Sequence, residues 1–323
     1  MFELKLQLFA NANTNVTTDS GLTHEMKTFY DMRLIDEASA NLVFDQFGQK
    51  RPIPSGSGKT IEFRKFDALP TTEKTPLVEG VTPDGKKLRV TTVEATVEQY
   101  GDYITQSDVL ELTSIDNTIV EATKILGRQA GMTLDSVVRN KLMEGTNVIF
   151  GGGGMDSSDV REIEIDDVKL SVATLKAQNA PTINGDFVGV IHPLASFHLM
   201  NDPKWEEYHK YTTSENLYSG EIGRIAGVRF VESTNAPVYV NSAGTLCFGT
   251  MIIGDGAYGV TEVTGGGLET IIKQKGSAGT ADPLNQRSTI GWKAMKTAEI
   301  LVEQYMVRIE SKCGEKLGVT ANV

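Results

Sequence analysis

The sequence predicts an α+β protein in which one projecting segment has no core of its own. Three observations carry this. Residues 57–106 read as one long β-hairpin and residues 115–144 as one long helix. Residues 160–285 read as short strands and helices set between that helix and a closing strand at 292–311. The chain has 323 residues, 40% of them hydrophobic, which is enough for a sizeable core and for one large domain or two or three smaller ones.

Taken in order, the chain opens on strand periodicity. Phe2, Leu4, Leu6 and Leu8 alternate with Glu3, Lys5 and Gln7, and a polar run from Asn11 to Ser20 follows. An apolar tail ahead of a polar linker has little local core to join. It is expected to lie on another part of the fold or on another subunit. Residues 23–47 predict a helix, with Thr23 as cap and Met26, Phe29, Tyr30, Leu34 and Ile35 at spacings of three and four. The hairpin follows. Ile61 and Phe63 mark its outgoing strand, Pro70, Pro76, Gly80, Pro83, Asp84 and Gly85 its tip, and Leu88, Val90, Val93, Ala95 and Val97 its return toward Tyr103. The phase change between Val90 and Val93 predicts a bulge or a change of buried face. A two-stranded ribbon is marginal alone in water, so this one needs support from outside itself.

The long helix carries one apolar stripe, Ile119, Ala122, Leu126, Ala130, Leu134 and Val138, with Asp116 or Asn117 as cap. Its length predicts that it backs a wide sheet. Gly127 and Gly131 form a GxxxG pair beside Glu121, Lys124, Arg128 and Gln129, so close backbone packing is expected rather than a membrane contact. Gly151 to Gly154 predict a hinge or flexible loop. A helix then runs through Val168, Val172 and Leu175 from a cap at Asp166 or Asp167. Phe187–Ile191 predicts a buried strand and Pro193 opens another helix. Short strands are expected at 228–231, 238–240, 246–248 and 251–253. In the closing strand Ala298, Ile300 and Val302 alternate, and Tyr305, Val307 and Ile309 then take the opposite phase. This strand is expected to pair beside the long helix.

Charge and motifs exclude several functions. The formal net charge is −11, whereas a free nucleic-acid binder usually shows a basic balance. Cys247 and Cys313 are too few for a disulfide framework or a four-cysteine zinc site, and both read as buried small hydrophobes in a reducing cytosol. No run approaches a membrane span, and MFELKLQLFA lacks the parts of a secretory signal.

PSGSGKT at 54–60 ends like a phosphate-binding loop. Its leading glycine position is Ile53, flanked by Pro52 and Pro54, and the alternating Ile61 to Phe66 predicts a strand where a helix is required. GDGAYG at 254–259 matches a dinucleotide fingerprint, but Val260 to Thr264 and three further glycines do not make the helix it needs. His24, His192, His198 and His209 include no i, i+4 pair, and Glu206, Glu207 and His209 define no metal geometry. Trp205, Tyr208 and Tyr211 beside them read as a packing or interaction patch. There is no G-x-S-x-G elbow. The reading assigns no catalytic, cofactor-binding or metal residue, so no enzyme and no cofactor.

Several separated stretches resemble the major capsid proteins of tailed bacteriophages, most closely the coliphage N-four type branch. They are Asp45-Gln46-Phe47-Gly48-Gln49-Lys50-Arg51-Pro52-Ile53-Pro54 with Gly58-Lys59-Thr60-Ile61-Glu62-Phe63, and Gly220-Glu221-Ile222-Gly223-Arg224-Ile225-Ala226-Gly227-Val228-Arg229. Glu232-Ser233-Thr234-Asn235-Ala236-Pro237 follows, then Asp282-Pro283-Leu284-Asn285-Gln286-Arg287 with Gly291-Trp292-Lys293. The resemblance runs from about residue 23 to about residue 310.

The resemblance implies the Hong Kong phage type fold shared with encapsulins. Its parts map to an N-terminal arm at 1–50, an extended β-hairpin loop at 51–106, a peripheral domain with a spine helix at 107–160 and 286–323, and an axial domain at 161–285. It also implies assembly of many copies as hexamers and pentamers into an icosahedral shell around double-stranded phage DNA, held to the wall only by weak contacts. The product is a virion capsid assembled in the bacterial host cytoplasm, with no membrane partner. Separate scaffolding, portal and decoration proteins are further implied partners. The arm is expected to be too short for a built-in scaffolding domain. Members of the wider fold sometimes join a loop lysine to a neighbour's asparagine. Lys74, Lys86 and Lys87 are available here, but no context identifies a partner. The alternatives are an encapsulin-like compartment and a nucleotide-binding enzyme built on Lys59 or the 254–259 glycines.

Overall fold

The structure is a computed structural model. It describes residues 34–38, 42–54, 58–66, 79–80, 82, 85–114, 118–205, 223–261, 267–277, 282–313 and 320–323. The expectations for Phe2 to Leu8, the caps at Thr23, Asp116 and Asn117, most of the hairpin tip, and Glu206 to Tyr211 lie outside these residues.

A single helix organises the molecule. Helix α1 covers 34–38 and α2 covers Asp108–Thr113. Helix α3, Thr118–Leu142, has 25 residues, so it is about 37 Å long. Its predicted stripe faces inward: Ala122, Leu126, Ala130, Leu134 and Val138 are all buried.

The N-terminal half of α3 packs on a first sheet. Its axis is β13, Arg287–Ile300, with β4, Glu98–Ser107, antiparallel along one side. Along the other side run β12, Glu269–Lys273, and β11, Tyr258–Thr261. The two-residue strand β1, Gln49–Lys50, joins β11 in parallel. Alternate residues of β13, Ile290, Trp292 and Ala294, point at Leu126, Ala130 and Leu134, as the period of two requires.

The C-terminal half of α3 packs on a second sheet, ordered β5–β14–β10–β6–β8–β7 with β9 on β10. These strands are β5 Val148–Phe150, β6 Phe187–Ile191, β7 Arg224–Ile225, β8 Val228–Glu232, β9 Val238–Val240, β10 Leu246–Ile253 and β14 Met306–Lys312. Helices α4, Ile165–Ala177, and α5, Pro193–Met200, cover its other face through Val168, Val172, Leu175, Ala195 and Leu199. Val138 and Leu142 of α3 meet Val190, Met251 and Ile253 from the opposite side. A sheet covered on both faces explains why β6 is apolar throughout rather than alternating.

The structure corrects several local expectations. The segment ending near Phe47 is not one helix to that point, because Phe44–Gln46 is a 3-10 turn. The hairpin strands β2, Thr60–Phe66, and β3, Val90–Thr96, pair from Thr60↔Thr96 to Phe66↔Val90 without a bulge. The phase change instead reflects exposure on both faces toward the tip, where Val90, Thr91 and Thr92 are all open to solvent. The return then leaves the hairpin at Val97, and β4 pairs with β13.

The four glycines form a 3-10 turn, with Gly152 and Gly153 at φ of 63° and 72°. Their N–H groups donate to Asp167 at 2.8 and 3.3 Å, so the expected hinge is a tied turn. Glu164, not Asp166 or Asp167, takes the N-cap position of α4, and Asp167 accepts its backbone N–H at 2.8 Å. Leu246 to Ile253 is one strand rather than two. The closing segment is two strands in different sheets, split at the phase change by a 3-10 turn at Glu303–Tyr305.

Candidate assembly site

One buried polar cluster ties the stretch between α1 and β1 to the folded body. Asp135 of α3 is fully buried, and its Oδ1 accepts the backbone N–H groups of Val43 at 2.9 Å and Phe44 at 2.7 Å. Its Oδ2 accepts from the Asn235 amide at 2.9 Å. Burial raises the Asp135 carboxyl above the ordinary aspartate range, against the lowering effect of these donors. One helical turn on, Arg139 donates to Asn235 Oδ1 at 2.8 Å, and burial lowers its affinity for the proton. On β13, Lys296 is buried and pairs with Asp45, which also meets Lys50 at 3.3 Å. The Tyr258 hydroxyl donates to the Phe44 carbonyl, and burial pushes this phenol well above its usual range. Unpaired, such groups would cost several kcal/mol each, so the cluster locks the 42–50 segment onto α3, β11 and β13.

Glycines set the fit around it. A Cβ at Gly127 would stand 2.8 Å from the Leu34 carbonyl oxygen, and one at Gly131 would collide with the backbone of Ala38. The GxxxG pair is therefore the seat of α1.

Among the described residues, the hairpin is anchored at its base. Phe63 is buried over Gly259 of β11, where a Cβ would come within 2.5 Å of the ring, and Arg51 lies 6.0 Å from the ring centroid. Beyond Phe63, among the described residues, β2 and β3 pair with each other, and Leu88 and Val90 are exposed.

A second open surface lies on the β4–β13–β12 sheet, on the face turned away from α3. A groove of about 630 Å³ runs over Gly101, Tyr103, Ile271, Arg287 and Gly291. Gly291 and Tyr103 are in register, and a Cβ at Gly291 would strike Tyr103, so the floor is flat there. Tyr103 is 68% exposed, and next to this sheet Leu112 of α2 and Leu284 are 80% and 75% exposed. Exposed large apolar groups of this kind mark contact surfaces when they gather.

The motif candidates are placed as follows. Lys59 precedes strand β2, and Thr60 begins that strand. The 254–259 glycines run through a turn into strand β11. His192 accepts the Leu194 N–H as the cap of α5 and stacks on Phe248 at 4.8 Å. His198 sits 3.3 Å from Glu162. Cys247 and Cys313 are buried, the Cys247 thiol donates to the Thr245 carbonyl at 3.5 Å, and burial raises that thiol to about 11. Lys86 and Lys87 are exposed, while Lys74, His24 and His209 lie outside the described residues. No group of His, Cys, Asp and Glu able to hold a metal occurs among the described residues, and no described helix is long and apolar enough to cross a membrane.

The sequence analysis missed Asn235, Asp135 and Arg139 as a unit. The available signals were a charged pair at i, i+4 inside an apolar stripe and the Ser233-Thr234-Asn235 stretch of the resemblance.

Comparison with known proteins agrees with this architecture. The capsid of Ralstonia phage GP4 superposes with a TM-score of 0.65 at 13% identity, covering 84% of this chain and 89% of that one. The capsid of cyanophage P-SCSP1u gives 0.63 at 14% identity, with the same coverage of 84% and 89%. A virus-like particle from Pyrococcus furiosus gives 0.52 at 12% identity, covering 88% of this chain and 99% of that one. These likenesses establish the Hong Kong phage type fold. No curated protein sequence matches significantly. The model of the phage capsid protein family matches residues 90–308, more than half of the sequence. A chain with this fold and this family match over residues 90–308 belongs to the phage capsid protein family.

Proposed function

We propose that the protein is the major capsid protein of a tailed phage of the coliphage N-four type, assembling as hexamers and pentamers into an icosahedral shell around double-stranded DNA. Family membership supports shell building, and the observation that carries the mechanism is the hairpin. Its two strands bury Phe63 at the root and leave Leu88 and Val90 open, so a neighbouring copy supplies the missing burial. Each such contact is weak, and many made at once give a durable shell.

The four-part division is part of this proposal: arm 1–50, extended loop 51–106, peripheral domain 107–160 with 286–323, and axial domain 161–285. On this division the peripheral and axial parts share both sheets, because β11 and β12 of the axial part join β13, and β14 of the peripheral part joins β10. No step calls for catalysis or a cofactor. Assembly in the host cytoplasm on a separate scaffolding protein, with portal and decoration proteins added, completes the reading.

Negative-stain microscopy of the purified protein tests it. Round, closed particles of one size, containing nucleic acid when isolated from infected cells, are expected. Expression of the chain by itself is expected to give tubes, irregular shells or free capsomers. Uniform closed shells from the chain alone would count against the scaffold. A cargo compartment is the second reading, favoured by the near-complete coverage of the Pyrococcus furiosus particle protein. Particles holding a second protein and no DNA would select it.

A further inference from the structure

The Asp135–Asn235–Arg139 cluster continues to a fourth partner that shell building does not explain. Arg139 donates from Nη2 to the Asn322 carbonyl at 2.6 Å. Asn322 is exposed, yet its backbone and side chain are both tied to the body. Its N–H donates to the Val238 carbonyl at 2.8 Å, its Oδ1 accepts the Val238 N–H at 2.8 Å, and its Nδ2 donates to the Ala236 carbonyl at 3.1 Å. Segment 320–323 thus occupies a notch between β9 and α3.

We infer that this notch is a docking site for the 320–323 segment whose occupancy is transmitted to the N-terminal arm through Arg139, Asn235 and Asp135. The chemistry gives the relay a direction. An ionised aspartate only accepts and a guanidinium only donates, so Asn235 cannot turn its amide over between them. Its Nδ2 must face Asp135 and its Oδ1 must face Arg139. Arg139 is in turn placed by Asn322, by the Asn235 carbonyl at 3.1 Å and by Asn140 at 2.8 Å. Buried polar groups joined in series strengthen one another, and the loss of one link loosens the others. The far end of the series is the pair of amides, Val43 and Phe44, in the stretch that follows α1 and leads to β1. When segment 320–323 leaves its notch, Arg139 loses the Asn322 carbonyl, its grip on the Asn235 amide oxygen loosens, and through Asp135 the 43–44 stretch is held less firmly. The device sets how firmly residues 43–44 are held from a site on a different element.

Hydrogen exchange on the full chain, at one fixed assembly state, tests this. Asn322→Ala removes both side-chain bonds that seat the segment. Exchange at the Val43 and Phe44 amides is expected to quicken about tenfold, together with exchange at 236–240. Asn235→Ala is expected to quicken the same two amides, and the double variant to add little beyond either single one, as coupled sites do. Faster exchange confined to 236–240, or fully additive effects, would overturn the relay and leave a local clasp. If Asn322→Ala folds poorly, Asn322→Ser, which shortens the side chain but keeps it polar, is read against the same two outcomes.

Discussion

At Gly131 two residue-scale effects oppose each other. Replacing it by alanine favours the helix by about 1 kcal/mol. The added Cβ, however, collides with the backbone of Ala38, which cannot rotate away. Overpacking of this kind costs about 1–3 kcal/mol, so Gly131→Ala is expected to lower the denaturant midpoint and to expose residues 34–38 to proteolysis. An alanine at an exposed position of α3, such as Arg128→Ala, is expected to do neither. A second residue sets part of the acid response. Glu303 accepts the N–H and hydroxyl of Thr146, and these bonds hold its carboxyl below the ordinary glutamate range. Its folded pKa is depressed, so its stabilising effect is present above the unfolded value and is lost as pH falls through the folded one. Glu303→Gln is expected to flatten that limb of urea midpoint against pH. An unchanged acid limb would remove Glu303 from it. The GxxxG pair was legible as close packing because charged neighbours exclude a lipid face. Its partner was not, because nothing in residues 34–38 announces which groove they fill. Asn235 was illegible for a similar reason: an asparagine beside serine, threonine and proline reads as a turn residue. Its buried role depends on Asp135 and Arg139, a hundred positions away.

Among the elements, the hairpin depends most on one contact. The Phe63 ring fills the space that Gly259 leaves on β11. Truncating a buried phenylalanine costs about 3–5 kcal/mol, and here the loss falls on the contact that anchors the root of the ribbon. Phe63→Ala is therefore expected to open β2 and β3 to protease while the β10–β14 sheet keeps its protection. Gly259→Val, which fills the seat instead of emptying the ring's side, is expected to give the same cleavage pattern. Cleavage spreading at once through β10 and β14 would show that the ribbon and the body unfold together. Elements with one dominant period were read well. The α3 stripe, the α4 positions Val168, Val172 and Leu175, and the fully apolar β6 all appear where periodicity put them. Elements whose limits depend on pairing were not. Gly249 and Thr250 look like a break, yet β10 continues through them because β6, β9 and β14 pair along it. The reversed phase of Tyr305, Val307 and Ile309 was visible, but not that it sends β14 into a different sheet. The four glycines looked free because Asp167, which ties them, lies on α4.

For the whole molecule, the decisive feature is a body complete in itself joined to a ribbon that is not. The two sheets share α3 as a common wall, and their cores are buried within one chain. Among the described residues the ribbon beyond Phe63 adds little to that core, and under the proposed function its length serves contacts outside the protomer. This separation makes fold and assembly independently testable. Phe66 and Val90 are register partners, so residues 67–89 can be replaced by Asn-Gly, a two-residue connection suited to a hairpin. The shortened chain keeps Phe63, β2, β3 and the buried cluster at Asp135. Its thermal midpoint is expected to stay within about 5 °C of the parent, because a change of 1 kcal/mol moves a chain of this size by only a few degrees. Its assembly is expected to fail: sedimentation should show protomers or small oligomers, and microscopy no closed particles. A co-expressed scaffold cannot restore contacts that the shortened ribbon no longer reaches, so its addition is expected to leave that result unchanged. Closed shells of parental size from the shortened chain would mean that the ribbon is dispensable, and that the exposed groove over Tyr103 and Gly291 and the Leu112–Leu284 surface alone hold the copies together.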